Sequence, residues 1–190
     1  TAMVIAVFLV YIVMALQFEK LKQPLLIMVT IPFCFIGVVL GLLIFGSTLN
    51  LLALLGLISL AGIVVNNGII LVDYINQLRK NRRLEIAMKK GNQNKDGEWN
   101  VQLSCEEETQ LLYDCVADGA ASRIKPILIT TLTTLLGDIP MAISSGEGAE
   151  IYAPMGQAIV GGLITSTLIT LIIIPTLYFI AEKPKKNKYL

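Results

Sequence analysis

Histidine is absent from the 190 residues, and the three cysteines, Cys34, Cys105 and Cys115, include no CxxC pair. These absences remove the usual ligand sets of a zinc or iron–sulfur centre, so no metal site and no redox cofactor is expected. Charge is scarce too. Charged residues make up 15% of the chain, and 15 Lys and Arg stand against 14 Asp and Glu. A net charge of +1 leaves no electrostatic footprint for nucleic acid. No nucleophile–base pair lies within the apolar stretches, which argues against an intramembrane enzyme. The chain also lacks a charged leader and a cleavage-site pattern ahead of its first apolar run, so that run is not a signal peptide. A chain entering such a run at Thr1 is expected to be a piece of a longer polypeptide, with the missing N-terminal part as its partner.

What is abundant is apolar. Hydrophobic residues reach 55%, and mean hydropathy is +0.72. Five long apolar stretches stand out: Ala2–Leu16, Leu25–Phe45, Asn50–Ile75, Pro126–Ile143 and Pro154–Ala181. The last four reach the ~17–25 residues that cross a bilayer core. The runs are uninterrupted and lack barrel alternation, so the expected fold is all-α, a polytopic transmembrane bundle of five spans plus a cytoplasmic amphipathic helical segment. The expected organisation is 1–75 as three transmembrane helices, the first truncated, 76–125 as a cytoplasmic helical loop, 126–181 as two more transmembrane helices, and 182–190 as a basic tail.

The basic residues set the orientation. All 15 lie in three places: Lys20 and Lys22; the segment from Arg79 to Lys125; and the tail from Lys183 to Lys188. The connections around 46–49 and 144–153 hold none. The positive-inside rule puts the basic segments and the C-terminus in the cytoplasm, with the lipid bilayer as the surrounding partner.

Within the long segment 76–125, Asn76–Lys90 reads as a basic helix along the inner leaflet. Gly91–Gly97 is turn-rich. Ser104 and Glu107 have capping-box spacing and open a helix to about Ala121, read as a solvated helix leaning on the bundle.

Polar residues inside the spans are the functional candidates. Leu57-Ile-Ser-Leu-Ala-Gly-Ile-Val-Val-Asn-Asn-Gly-Ile-Ile-Leu-Val-Asp73 carries Asn66, Asn67 and Asp73 in a stretch apolar enough to span. At about 100° per residue, Ser59, Gly62, Asn66 and Asp73 fall on one stripe. Such a stripe is either part of a transport route or a tie between helices. In the fourth span Thr130, Thr134 and Gly137 share a face. Threonines there also bond their own backbone, and Arg123 at the entrance can simply snorkel. The polar groups of the third and fourth spans are expected to face one another inside the bundle. Gly37-x-x-x-Gly41 is a close-packing motif.

Further motifs are Ala15-Leu-Gln-Phe-Glu19 with Gln23-Pro24, Gly62-Ile-Val-Val-Asn-Asn-Gly-Ile-Ile-Leu-Val-Asp73, Arg123-Ile-Lys-Pro-Ile-Leu-Ile-Thr-Thr131, Gly148-Ala-Glu150, and Gly161-Gly-Leu-Ile-Thr-Ser-Thr167 with Pro175 and Tyr178. Together, and in this order, they resemble the C-terminal membrane region of resistance–nodulation–division efflux transporters, in their hydrophobe/amphiphile multidrug branch. The resemblance covers nearly the whole chain and implies the last five of twelve membrane helices of a proton-driven exporter in a bacterial inner membrane. It implies a homotrimer joined to a periplasmic adaptor and an outer-membrane channel, with the proton as coupling ion. By the same resemblance the proton relay includes Asn66, Asn67, Arg123 and Thr130, with Asp73, Thr131 and Thr134 as accessories and Gly37, Gly41, Gly62, Gly161 and Gly162 in helix packing. Asn66 stands where the family usually has lysine, as in some members. An amide can bond a carboxylate but brings no charge. Segment 91–101 looks like an insertion. Two other readings remain: a related protein-export auxiliary, and a structural scaffold without its own ion relay.

Overall fold

The computed structural model describes residues 2–18, 22–90, 103–146 and 148–183. Among these residues the fold is all-helical. Its elements are α1 (Ala2–Gln17), α2 (Lys22–Met28), α3 (Thr30–Phe45), α4 (Leu51–Lys90), α5 (Cys105–Ala142) and α6 (Ala149–Glu182). Lys20 and Lys185, used to orient the chain, lie outside the described residues, as do segment 91–101 and most of the basic tail.

Helices α2 and α3 form one apolar segment broken only at Val29. Pro32 explains the break: it has no N–H for the Met28 carbonyl, and its ring crowds that group. The Thr30 hydroxyl donates to the Ile27 carbonyl at 2.7 Å across the gap. Gly46, at φ 69°, ends α3 in the left-handed region, and the amides of Gly46 and Ser47 return to Leu43 and Leu42. Asn50 then opens α4 by accepting from the Ala53 amide at 2.8 Å.

Among the described residues, three segments are long and apolar enough to cross a membrane: Lys22–Phe45, Leu51–Lys89 and Ile151–Glu182. The apolar part of α1, Ile5–Gln17, is shorter. The expected fourth span is diluted by Thr130, Thr131, Thr133, Thr134 and Asp138, which lower its hydropathy.

Two expected boundaries are absent. Helix α4 runs unbroken through Ile75 to Lys90, about 60 Å at 1.5 Å per residue, so Asn76–Lys90 continues the helix of the third span and is not a separate helix along the inner leaflet. No glycine or proline interrupts that stretch, and polarity alone does not end a helix. Helix α5 likewise joins the amphipathic segment to the fourth span, with Pro126 inside it and not in its first turn. It does begin as expected: Ser104 accepts from the Glu107 amide at 3.2 Å, and the Ser104 amide donates to the Glu107 carboxylate at 3.0 Å.

Helix α6 is central, packed against α3, α4 and α5. One apolar cluster gathers Ile27, Val72, Ile75, Leu112, Ile127, Ile174 and Tyr178; a second gathers Cys34, Val38, Leu57, Leu60, Val64 and Leu163. The α3–α6 crossing is backbone to backbone. A Cβ at Gly41 would lie 2.8 Å from Gly161 Cα, and one at Gly37 would lie 3.0 Å from Gly162 Cα. Only glycine permits that approach.

Candidate functional site

The two amides of α4 point different ways. Asn67 is buried, on the face that carries Leu60, Val64 and Leu71 into the bundle. Asn66 is one residue on, about 100° around the helix, and is exposed. Ser59 is exposed with it. Gly62 meets no heavy atom within 4 Å of an ideal Cβ, and lines an apolar groove of about 470 Å³ between α1, α3 and α4. Asp73, lower on the stripe, is half-buried and accepts from Gln77 Nε2 at 2.8 Å.

The threonines of α5 divide in the same way. Thr130 is exposed, and its hydroxyl donates to the Ile127 carbonyl at 2.9 Å. Thr134 donates to the Thr130 carbonyl at 2.9 Å. Thr131 alone of the three turns inward, with its hydroxyl 3.2 Å from that of Thr167 on α6. The expectation that Asn66 and Thr130 are buried together inside the bundle is therefore corrected. Helix α6 fills the interior and takes the apolar faces of α4 and α5, which leaves Asn66 and Thr130 outward. The structure brings Gly37, Gly41, Gly161 and Gly162 together but leaves Gly62 facing open space.

Arg123 sits beside α4. Its guanidinium carbon is 4.1 Å from the centroid of the Tyr74 ring, and its buried Nε has no hydrogen-bond partner among the described residues. The helices approach closely here. A Cβ at Gly119, one turn before Arg123, would lie 2.7 Å from Ile75 Cγ1.

Below this level a polar cluster ties four helices. Gln23 and Asn76 exchange two amide hydrogen bonds of 3.1 and 3.0 Å, and the Tyr178 hydroxyl donates to Asn76 Oδ1 at 2.6 Å. Arg79 pairs with Glu182 at 2.8 Å and with Glu108 at 3.4 Å, Arg83 also pairs with Glu108, and Arg82 with Asp118. Burial pushes up the Cys115 thiol, which packs with Leu103 and Leu111 within reach of the charges of Arg79 and Arg82. Sequence reasoning missed the roles of Tyr74, Gly119, Thr167 and Asn76. A small residue one turn before an arginine was the available signal for Gly119; the others gave none.

Among the described residues, no group of three or more Cys, Asp or Glu is placed to hold a metal ion.

Known proteins place this arrangement. The sequence profile of the AcrB/AcrD/AcrF family matches residues 1–93 and 100–182, leaving out a short stretch inside the expected insertion. The cobalt-zinc-cadmium resistance protein CzcA of Cupriavidus metallidurans is 32% identical over 183 residues, which are 96% of this chain and 15% of that protein. The multidrug resistance protein MdtC of Pantoea ananatis is 33% identical over 186 residues, 98% of this chain and 16% of that protein. A crystal structure of a heavy metal efflux pump matches with a TM-score of 0.70 and 29% identity, over 94% of this chain and 15% of that one. The chain thus spans about 15% of the length of these relatives. With the family profile matched over almost its whole length, the chain belongs to the AcrB/AcrD/AcrF family of resistance–nodulation–division efflux transporters.

Proposed function

We propose that this chain is the C-terminal membrane part of a proton-motive-force-driven pump that exports drugs or other amphiphiles, and that Asn66, Arg123 and Thr130 belong to its proton relay. One observation carries the reading: Asn66 is exposed on the most polar stripe of a spanning helix, while the bundle interior is already filled. An amide exposed to hydrocarbon is costly, so that face requires a polar partner or water. The partner is a carboxylate from the part of the polypeptide outside this chain. Asn66 hydrogen-bonds it without neutralising it, and Arg123 supplies the positive charge. Thr130 stands on the neighbouring helix as a hydroxyl for proton or water handling. In this reading the protein works in a bacterial inner membrane, C-terminus inward, as a homotrimer with a periplasmic adaptor and an outer-membrane channel.

A second reading has metal ions as cargo. It is favoured by the likeness to CzcA and to the heavy metal efflux pump structure. In that case the ligands for the cargo come from the part of the polypeptide outside this chain. One experiment addresses both readings: full-length protein in energised cells, with ethidium efflux and Zn²⁺ tolerance measured with and without a protonophore. Protonophore-sensitive ethidium export supports the drug reading. Zn²⁺ tolerance alone supports the metal reading. Neither, at normal membrane levels, contradicts both and favours a protein-export auxiliary or a scaffold.

A further inference from the structure

In the proposed relay Arg123 is the cation, and the structure shows what holds it. Its guanidinium lies on the face of Tyr74, at 4.1 Å from the ring centroid. Asp73 precedes Tyr74 in α4, yet its Oδ2 is engaged with Gln77. On α5, Asp118 pairs with Arg82, and Asp114 accepts from Gln110 at 3.2 Å. Arg123 forms no ion pair among the described residues, and its buried Nε is unpartnered. The stack depends on a close approach of the helices at Gly119 and Ile75, where a Cβ on residue 119 would lie 2.7 Å from Ile75 Cγ1.

We propose that Tyr74 is a positioning residue for Arg123: its ring face fixes the guanidinium at the relay without cancelling its charge. The inference rests on the relay reading above. An arginine has many rotamers, and a charge that wanders gives a carboxylate no fixed proton affinity. A carboxylate partner would fix the guanidinium but neutralise it. An aromatic face attracts the cation through its quadrupole and leaves the full charge available to a third group. That charge keeps the relay carboxylate acidic enough to release its proton. Because Asn66 contributes none, placement of Arg123 carries more weight here than in a site with lysine. Gly119 serves the same end by letting α5 come close enough for the stack to form.

The test uses the full-length pump in proteoliposomes with the pH dye pyranine inside. Ethidium is the driving substrate, or Zn²⁺ if the native pump exports metal. Substrate-dependent proton flux is recorded against pH for the native protein, Tyr74→Leu, Tyr74→Phe and Arg123→Gln. Loss of the ring face lets Arg123 drift, so the carboxylate binds its proton more tightly and release needs a higher pH. Tyr74→Leu should move the profile alkaline by about half a pH unit, the equivalent of a surface cation–π contact. Tyr74→Phe, which keeps the ring, should keep the native profile. A Tyr74→Leu profile that overlays the native one, even with lower amplitude, overturns the inference. So does a Tyr74→Phe profile that shifts as leucine does. Arg123→Gln separates the two levels. If it pumps with the native profile, the relay reading itself falls. If it stops flux while Tyr74→Leu keeps its profile, only the positioning role falls. Should Tyr74→Leu not accumulate, Gly119→Ala gives the same reading: both side chains remain but the helices part. An alkaline shift there supports the inference, and an unchanged profile overturns it.

Discussion

Gly41 and Gly161 touch through their backbones: a Cβ placed on Gly161 would stand 2.4 Å from Gly41 Cα. No side chain fits between α3 and α6 without the helices parting. Gly161→Ala should therefore destabilise the bundle by about 1–3 kcal/mol, the usual range for overpacking. Gly62→Ala is the matched control. Nothing lies within 4 Å of its Cβ position, so the substitution should be neutral or raise stability by about 0.5–1 kcal/mol through helix propensity. Thermal unfolding of the detergent-solubilised protein measures both. Equal effects at the two glycines would contradict the crossing geometry.

The Gln23–Asn76–Tyr178 network should respond unequally to its members. Tyr178→Phe removes one donor and leaves the amide pair, costing about 0.5–1.5 kcal/mol. Asn76→Leu leaves Gln23 without its amide partner and the Tyr178 hydroxyl without its acceptor, and should cost more. A double-mutant cycle should return a clear coupling energy, because Asn76 Oδ1 serves both donors. Additive single effects would show that the hydroxyl bonds elsewhere.

Cys115 should resist alkylation at neutral pH while Cys105 reacts. Cys115 is fully buried, and burial raises its pKa above 9.0, so thiolate is scarce; Cys105 is only half-buried. The sign for stability follows. On raising the pH through 9.0 the unfolded chain loses this proton first, so Cys115 lowers stability from there upward. Mass spectrometry after iodoacetamide treatment at two pH values checks the reactivity. Equal labelling of the two thiols would contradict the packing.

The two threonines Thr130 and Thr131 should separate stability from export. Thr131→Val breaks the bond to Thr167 and should cost about 1 kcal/mol. Thr130→Ala, on the exposed face, should change stability by less than about 0.5 kcal/mol. In the relay reading it nevertheless reduces proton-driven export. The reverse pattern in unfolding and efflux assays would place the relay face on the wrong side of α5.

Asn66→Leu should abolish export while the protein remains folded in the membrane, because leucine cannot hold a carboxylate. Asn66→Lys should retain part of the activity, since an ammonium also bonds a carboxylate. Efflux from energised cells, with membrane levels measured in parallel, reads both. Normal export by Asn66→Leu would reduce the residue to a packing role.

Hydropathy made the helices legible, and residue spacing made the capping box at Ser104 and the glycine pair at Gly37 and Gly41 legible. The continuity of α4 was not. Basic residues bear on where a helix can leave hydrocarbon, not on where it ends, and α4 runs on through them to Lys90. The start of the fourth stretch at Pro126 is no helix boundary either: proline suits a first turn, yet Pro126 lies within α5. Which face of α4 turns inward was also hidden. Leucine, isoleucine and valine surround the helix almost evenly, so spacing could group Ser59 with Asn66 but could not say what they face. That choice belongs to α6, whose glycines and buried apolar residues draw the opposite face of α4 inward.

The central claim is that the outward face of Asn66 meets a carboxylate supplied by the remainder of the polypeptide. A cryo-electron microscopy structure of the full-length protein in lipid nanodiscs tests it most directly. The account predicts the Asn66 amide within hydrogen-bonding distance of a carboxylate on another membrane helix, with Arg123 still on the Tyr74 ring about two turns further along α4. Asn66 facing acyl chains, with no carboxylate or ordered water in reach, would contradict it.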